Sequence, residues 1–143
     1  MAYYFLYPEK DTTIYSHPYR QDLNTGIVET LSLASEKGVT DELYYPSRIN
    51  LKFKDSELKE TLRDKVSGSF SASLNLYATE YSKNLPVSQT IELYPLFDAF
   101  ENGTQKYLDR PFNNNVISNG ASWLYKNNGY TKNTEFTTTS LTF

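Results

Sequence analysis

Residues 47–53 alternate without a break: Ile49, Leu51 and Phe53 fall on one side of an extended chain and Arg48, Asn50 and Lys52 on the other. Successive strand side chains point to opposite faces, so this period of two predicts a strand with the apolar trio in the core and the polar trio in water. The period returns over residues 69–81, where Phe70, Ala72, Leu74, Leu76 and Ala78 share a face; this segment is expected to be the longest central strand. Shorter strands are expected at residues 12–16, closed by Pro18, and at 27–35, between Gly26 and Gly38. A further strand is expected at 90–96, where Pro86 and Pro95 mark boundaries because proline cannot donate to a central ladder. Short alternating segments separated by turns imply a mainly β fold, a sandwich or barrel and not a set of βαβ units.

Between two of these strands the period changes. Leu58, Leu62 and Val66 recur at spacing four, with Asp55 and Ser56 as N-cap candidates, which predicts one short helix over about residues 55–65. Beyond Asn102 the chain turns rich in Asn and Gly, and a short strand is expected at 122–125. Residues 134–143 are rich in threonine and have strand propensity, yet stop without a turn. A chain that continues further, or an edge that pairs with another chain, would explain that ending. The 143 residues suit a single domain, 1–143, with enough length to bury one core.

Composition narrows the chemistry. There is no cysteine, which removes disulfides, thiolate metal sites and a thiol nucleophile. The net charge is −3 and the 14 basic residues are scattered, so no nucleic-acid partner is expected. No apolar run reaches the length of about 20 residues that spans a bilayer, so no membrane insertion is expected either. Residues 1–8 are apolar but lack the basic flank and the cleavage site of a secretory signal, and are read as mature protein. The single histidine, His17, lies beside Pro18 and reads as a turn residue; its neighbour Ser16 would point to the opposite strand face and cannot pair with it as nucleophile and base. One histidine without cysteine leaves no transition-metal site. Glu60 and Asp64 share a helix face but interleave with Lys59, Arg63 and Lys65, so a solvated face is expected and not a hydrolytic pair. Glycines 103, 120 and 129 are too widely spaced to cradle a phosphate, and no cofactor is expected. The 13 tyrosines, 8 phenylalanines and one tryptophan offer large, partly polar contact surfaces. Tyr107, Trp123, Tyr125 and Tyr130, in loop-rich sequence, are the candidates for glycan or partner contact. Against that role, large aromatics usually bury most of their area, and Trp123 is expected to anchor the core.

Four blocks stand in a recognisable order: Asp11 to Tyr15, with its Asp-Thr start; Arg48 within the alternation of 47–53; Ala72, Leu74, Leu76 and Tyr77; and a stretch from Gly103 to Tyr125 containing Trp123. Together they resemble DNRLRE-type β-sandwich domains, which implies a jelly-roll-like antiparallel sandwich similar to carbohydrate-binding modules. More narrowly, Gly103, Thr104, Tyr107, Pro111 and the run Gly120 to Tyr125 are similar to structural virion proteins of marine tailed bacteriophages. Two positions depart from the pattern: a tryptophan is expected near 97–100, and a second glycine where Gln105 stands. The family also continues past residue 143. The resemblance implies a non-enzymatic virion component of tail, neck or appendage, with no catalytic residues to transfer. Its partners would be other virion structural proteins or copies of itself. The alternative it implies is a carbohydrate-binding or host-adhesion module that takes a host-surface glycan.

Overall fold

The computed structural model describes residues 3–78, 91–96, 98–106 and 120–126. Three strands form one antiparallel sheet in the order β1-β3-β2: β1 is Pro8–Tyr15, β2 is Ser35–Lys37 and β3 is Tyr44–Phe53. β3 is central, with Thr13 opposite Ile49 and Thr12 opposite Asn50 on one side, and Glu36 opposite Tyr45 on the other. Among the described residues the fold is mainly β, with one short helix following the sheet. The alternation at 47–53 is a strand as expected, but its burial departs from the pattern. Asn50, on the face assigned to water, is 5% exposed, while Ile49, Leu51 and Phe53 are only half-buried. Directly opposed residues share a face. Thr12 and Ile14, opposite Asn50 and Arg48, are both fully buried, yet Thr13, Tyr15 and Ser47 on the other face are buried as well and Arg48 is exposed, so neither face is wholly core or wholly solvent.

Among the described residues the buried set is largely polar. Ile14, Tyr15, Phe100 and Ala121 are its apolar members, beside buried Thr12, Thr13, Asn24, Thr25, Ser47, Asn50 and Ser122. Buried polar groups cost free energy unless they are hydrogen-bonded. Here, among the described residues, every buried side-chain nitrogen and oxygen has a partner. Asn24 is the hub: its Nδ2 donates to the carbonyls of Asn102 and Ala121, both at 2.8 Å, and its Oδ1 accepts from the Gly26 amide at 3.0 Å. Asn102 answers across the same gap, its Nδ2 donating to the Gly26 carbonyl at 2.6 Å and its Oδ1 accepting from the Asp11 amide at 3.0 Å. Two side-chain amides thus tie four separate stretches of chain together.

Those same contacts finish the outer edge of β1. The Thr13 amide donates to Thr25 Oγ1 at 2.8 Å, and that hydroxyl donates back to the Thr13 carbonyl at 2.8 Å. A single threonine side chain therefore stands where the next strand would pair. On the sheet's other side, Ser47 Oγ donates to the Ser32 carbonyl and accepts from the Ala34 amide, both at 2.8 Å.

The helix, α1, is Asp55–Glu60 and continues as a π-helical turn, Thr61–Lys65, closed by the Val66 amide on the Thr61 carbonyl at 3.1 Å. Its N-cap is Lys54, in extended conformation and without a side-chain cap, and neither Asp55 nor Ser56 takes that place. Asp55 is instead held by Lys52 Nζ at 2.6 Å. Asp55 and Glu57 in the first turn and Lys59 in the last still complement the helix dipole.

Four expected strands differ. Residues 27–34 form no strand, because Asn24 and Thr25 direct the backbone into the core network and β2 begins only at Ser35. Residues 69–78 and 91–96 form no strand, and Phe70, Leu74, Leu76, Ile91 and Leu93 are exposed. Residues 122–125 close on themselves, the Ser122 amide donating to the Tyr125 carbonyl at 2.7 Å, which makes a turn and not a strand. The remainder of the 69–81 and 90–96 segments, and residues 134–143, lie outside the described residues.

Candidate functional site

Of the four aromatic candidates, Trp123 and Tyr125 are described, whereas Tyr107 and Tyr130 lie outside the described residues. Trp123 is half-buried and is not the core anchor its size predicts. The reason lies one residue earlier. Ala121 and Ser122 take the buried positions, and Gly120, at φ +96°, turns the chain against Gly103 and Asn24 so closely that no side chain fits there. The chain then leaves the core, and the indole lies under the Arg48 guanidinium, 4.8 Å from the ring centroid. Arg48 is exposed on the central strand, so a rigid element holds the cation and a turn brings the ring to it.

Neighbouring groups widen this platform. Tyr125 is half-buried at the end of the same turn, its amide donating to Ser122 Oγ at 3.2 Å. Lys126 Nζ reaches Asp98 at 3.1 Å, and the Leu124 amide donates to the Gln21 carbonyl at 3.1 Å, which fixes the turn at both ends. Tyr94 is close enough to feel the Arg48 charge; its hydroxyl donates to Glu92 Oε2 at 2.5 Å, and that carboxylate holds the phenol above its usual pKa. A groove of about 250 Å³ opens near the end of β3, lined by Leu51, Lys52, Leu96, Asp98, Ala99 and Phe100. Flat rings, phenols and a guanidinium suit stacking and hydrogen bonding to a ligand or another protein.

The other candidates occupy structural posts. His17 is buried, and its Nδ1 accepts from the Tyr19 amide at 3.2 Å within the turn its proline neighbour predicts. Its ring meets Tyr45 edge-on at 5.1 Å, while Ser16 Oγ donates to the Pro46 carbonyl at 2.8 Å. Glu60 and Asp64 both face solvent, the first 3.6 Å from Lys65 Nζ and the second held by Arg63 at 2.5 Å. Among the described residues no group of three histidine or acidic side chains gathers for a metal, and no helix is long and apolar enough to cross a membrane.

Sequence reasoning missed Arg48 as a site residue and Asn24 and Asn102 as core residues. Arg48 had a readable signal, a long cation amid a strand's polar face; Asn24 had none, because its partners lie 78 and 97 residues away. No protein-family model, curated protein or solved structure matches the chain.

Proposed function

We propose that the chain is a non-enzymatic structural protein of a tailed bacteriophage virion, a tail, neck or appendage component built as a jelly-roll-like sandwich of the DNRLRE type. The observation that carries this reading is where the large apolar side chains stand. Among the described residues, Tyr3, Phe5, Tyr7, Tyr44, Phe70, Tyr77, Leu93 and others face water, against Ile14, Tyr15, Phe100 and Ala121 in the core. Monomers seldom leave so much apolar surface uncovered, and neighbouring subunits are the usual cover. The outer edge of β1 is filled by Thr25 and Asn102, so docking falls to tyrosine-rich faces more than to that edge. Peptide mass spectrometry of purified particles is expected to find the chain in stoichiometric amount; particles complete without it would overturn the proposal.

A second reading, a carbohydrate-binding or host-adhesion module, is favoured by the Trp123, Arg48 and Tyr125 platform. On a glycan array, binding lost in Trp123→Ala with folding intact would support it. An array without any binder would remove it.

A further inference from the structure

We propose that residues 3–7 pair antiparallel with the same residues of a second copy of this chain, centred on Phe5. The inference rests on the assembly reading above and names one partner for it. Three observations carry it. The segment runs on from β1 past the last β3 partner, since Pro8 already lies opposite Phe53 and the chain there turns into α1. Tyr7 precedes a proline, which favours extended backbone. The segment is also uneven in its exposure: Tyr3, Phe5 and Tyr7 are 74%, 75% and 76% exposed, whereas Leu6 is half-covered and Tyr4, its ring 5.9 Å from Lys65 Nζ, is 47% exposed.

The sequence of that outer face reads the same in both directions. Tyr3 and Tyr7 are symmetric about Phe5, with Tyr4 and Leu6 between. An antiparallel pair about a two-fold axis places Phe5 opposite Phe5 and Tyr3 opposite Tyr7, so the patch is complementary to itself, as an isologous interface requires. Cross-strand aromatic pairs are among the stabilising ones. In that arrangement the six outward rings stand side by side on one face and cover only their flanks, a fraction of the roughly 150–250 Å² each can bury, so the pair lies well below the roughly 1,200 Å² at which specific interfaces begin. The pair is therefore weak and reversible and not an obligate dimer.

Sedimentation of the full chain across micromolar concentrations is expected to show a reversible monomer–dimer equilibrium, weakened about tenfold or more by Phe5→Asp. The chain has no cysteine, so the register can be read directly. Oxidised Phe5→Cys is expected to give a disulfide dimer, because opposed residues lie within disulfide reach. Tyr3→Cys and Tyr7→Cys should cross-link when mixed but neither alone, since like residues then stand on the order of 13 Å apart. A chain monomeric throughout, a dimer indifferent to Phe5→Asp, or a dimer whose Phe5→Cys form does not cross-link would overturn the pairing. Any of these would leave the virion reading to the particle measurement alone.

Discussion

A methyl group added at Gly26 would sit 2.0 Å from the Asn102 carbonyl oxygen, a contact that neither backbone can yield without breaking the amide network. Gly26→Ala is therefore expected to cost about 2–3 kcal/mol in denaturant unfolding, at the upper end for overpacked sites. Asp41 offers a gentler test. Its carboxylate accepts from the Tyr45 hydroxyl and from the Leu43 amide at 3.1 Å, in that order of effect, and its pKa lies below the usual carboxylate range. The same hydrogen bond lifts Tyr45 above the ordinary phenol value. The signs differ: a depressed carboxylate contributes stability above its unfolded pKa and loses it as pH falls through the folded one. A raised phenol contributes below its unfolded pKa and loses that as pH rises through the folded one. The Asp41 carboxylate is exposed, so the effect on stability is small, but NMR titration should show the Asp41 midpoint rising toward ordinary values in Tyr45→Phe. An unmoved midpoint would show that the hydroxyl is not what holds it down.

Among the elements, β1, β3 and α1 were legible in the sequence because each is set by local pattern: alternation with turn boundaries, or apolar spacing of four with acids first. Residues 69–78 carry alternation as clean as that of β3 and yet form no strand. Period two reports which side chains share a face; pairing requires a partner that the segment does not encode. The two faces of β3 divide less cleanly than the alternation predicts for a related reason: Asn50 is covered with Thr12 opposite it, and Thr13, Tyr15 and Ser47 are buried on the other face while Arg48 stays exposed. Two elements give predictions. Lys54→Ser should supply the hydroxyl that α1 lacks at its N-cap and add about 0.5–1 kcal/mol to stability, measured by chemical denaturation. Thr25→Val, nearly the same shape, should cost about 1–3 kcal/mol by leaving the Thr13 amide without its acceptor, and should raise amide exchange along β1 first.

For the molecule as a whole, the candidate site was legible by residue type but not by arrangement. Trp123 and Tyr125 were picked out as aromatics in loop-rich sequence; Arg48, 75 positions earlier in the sequence than Trp123, joins them only through the fold. Because the indole is half-buried, Trp123→Ala is expected to leave the near-native melting behaviour intact and to remove the intrinsic tryptophan signal cleanly; a collapsed melting transition would return Trp123 to the core. The hub at Asn24 has a consequence in time. Its bonds to Asn102 and Ala121 span 78 and 97 residues, so the centre of the molecule cannot close until most of the chain exists. On a ribosome, the sheet would form early and wait, its interior wet, until residue 121 left the exit tunnel. Long-range closure of this kind is slow, and refolding should run in milliseconds to seconds, not microseconds.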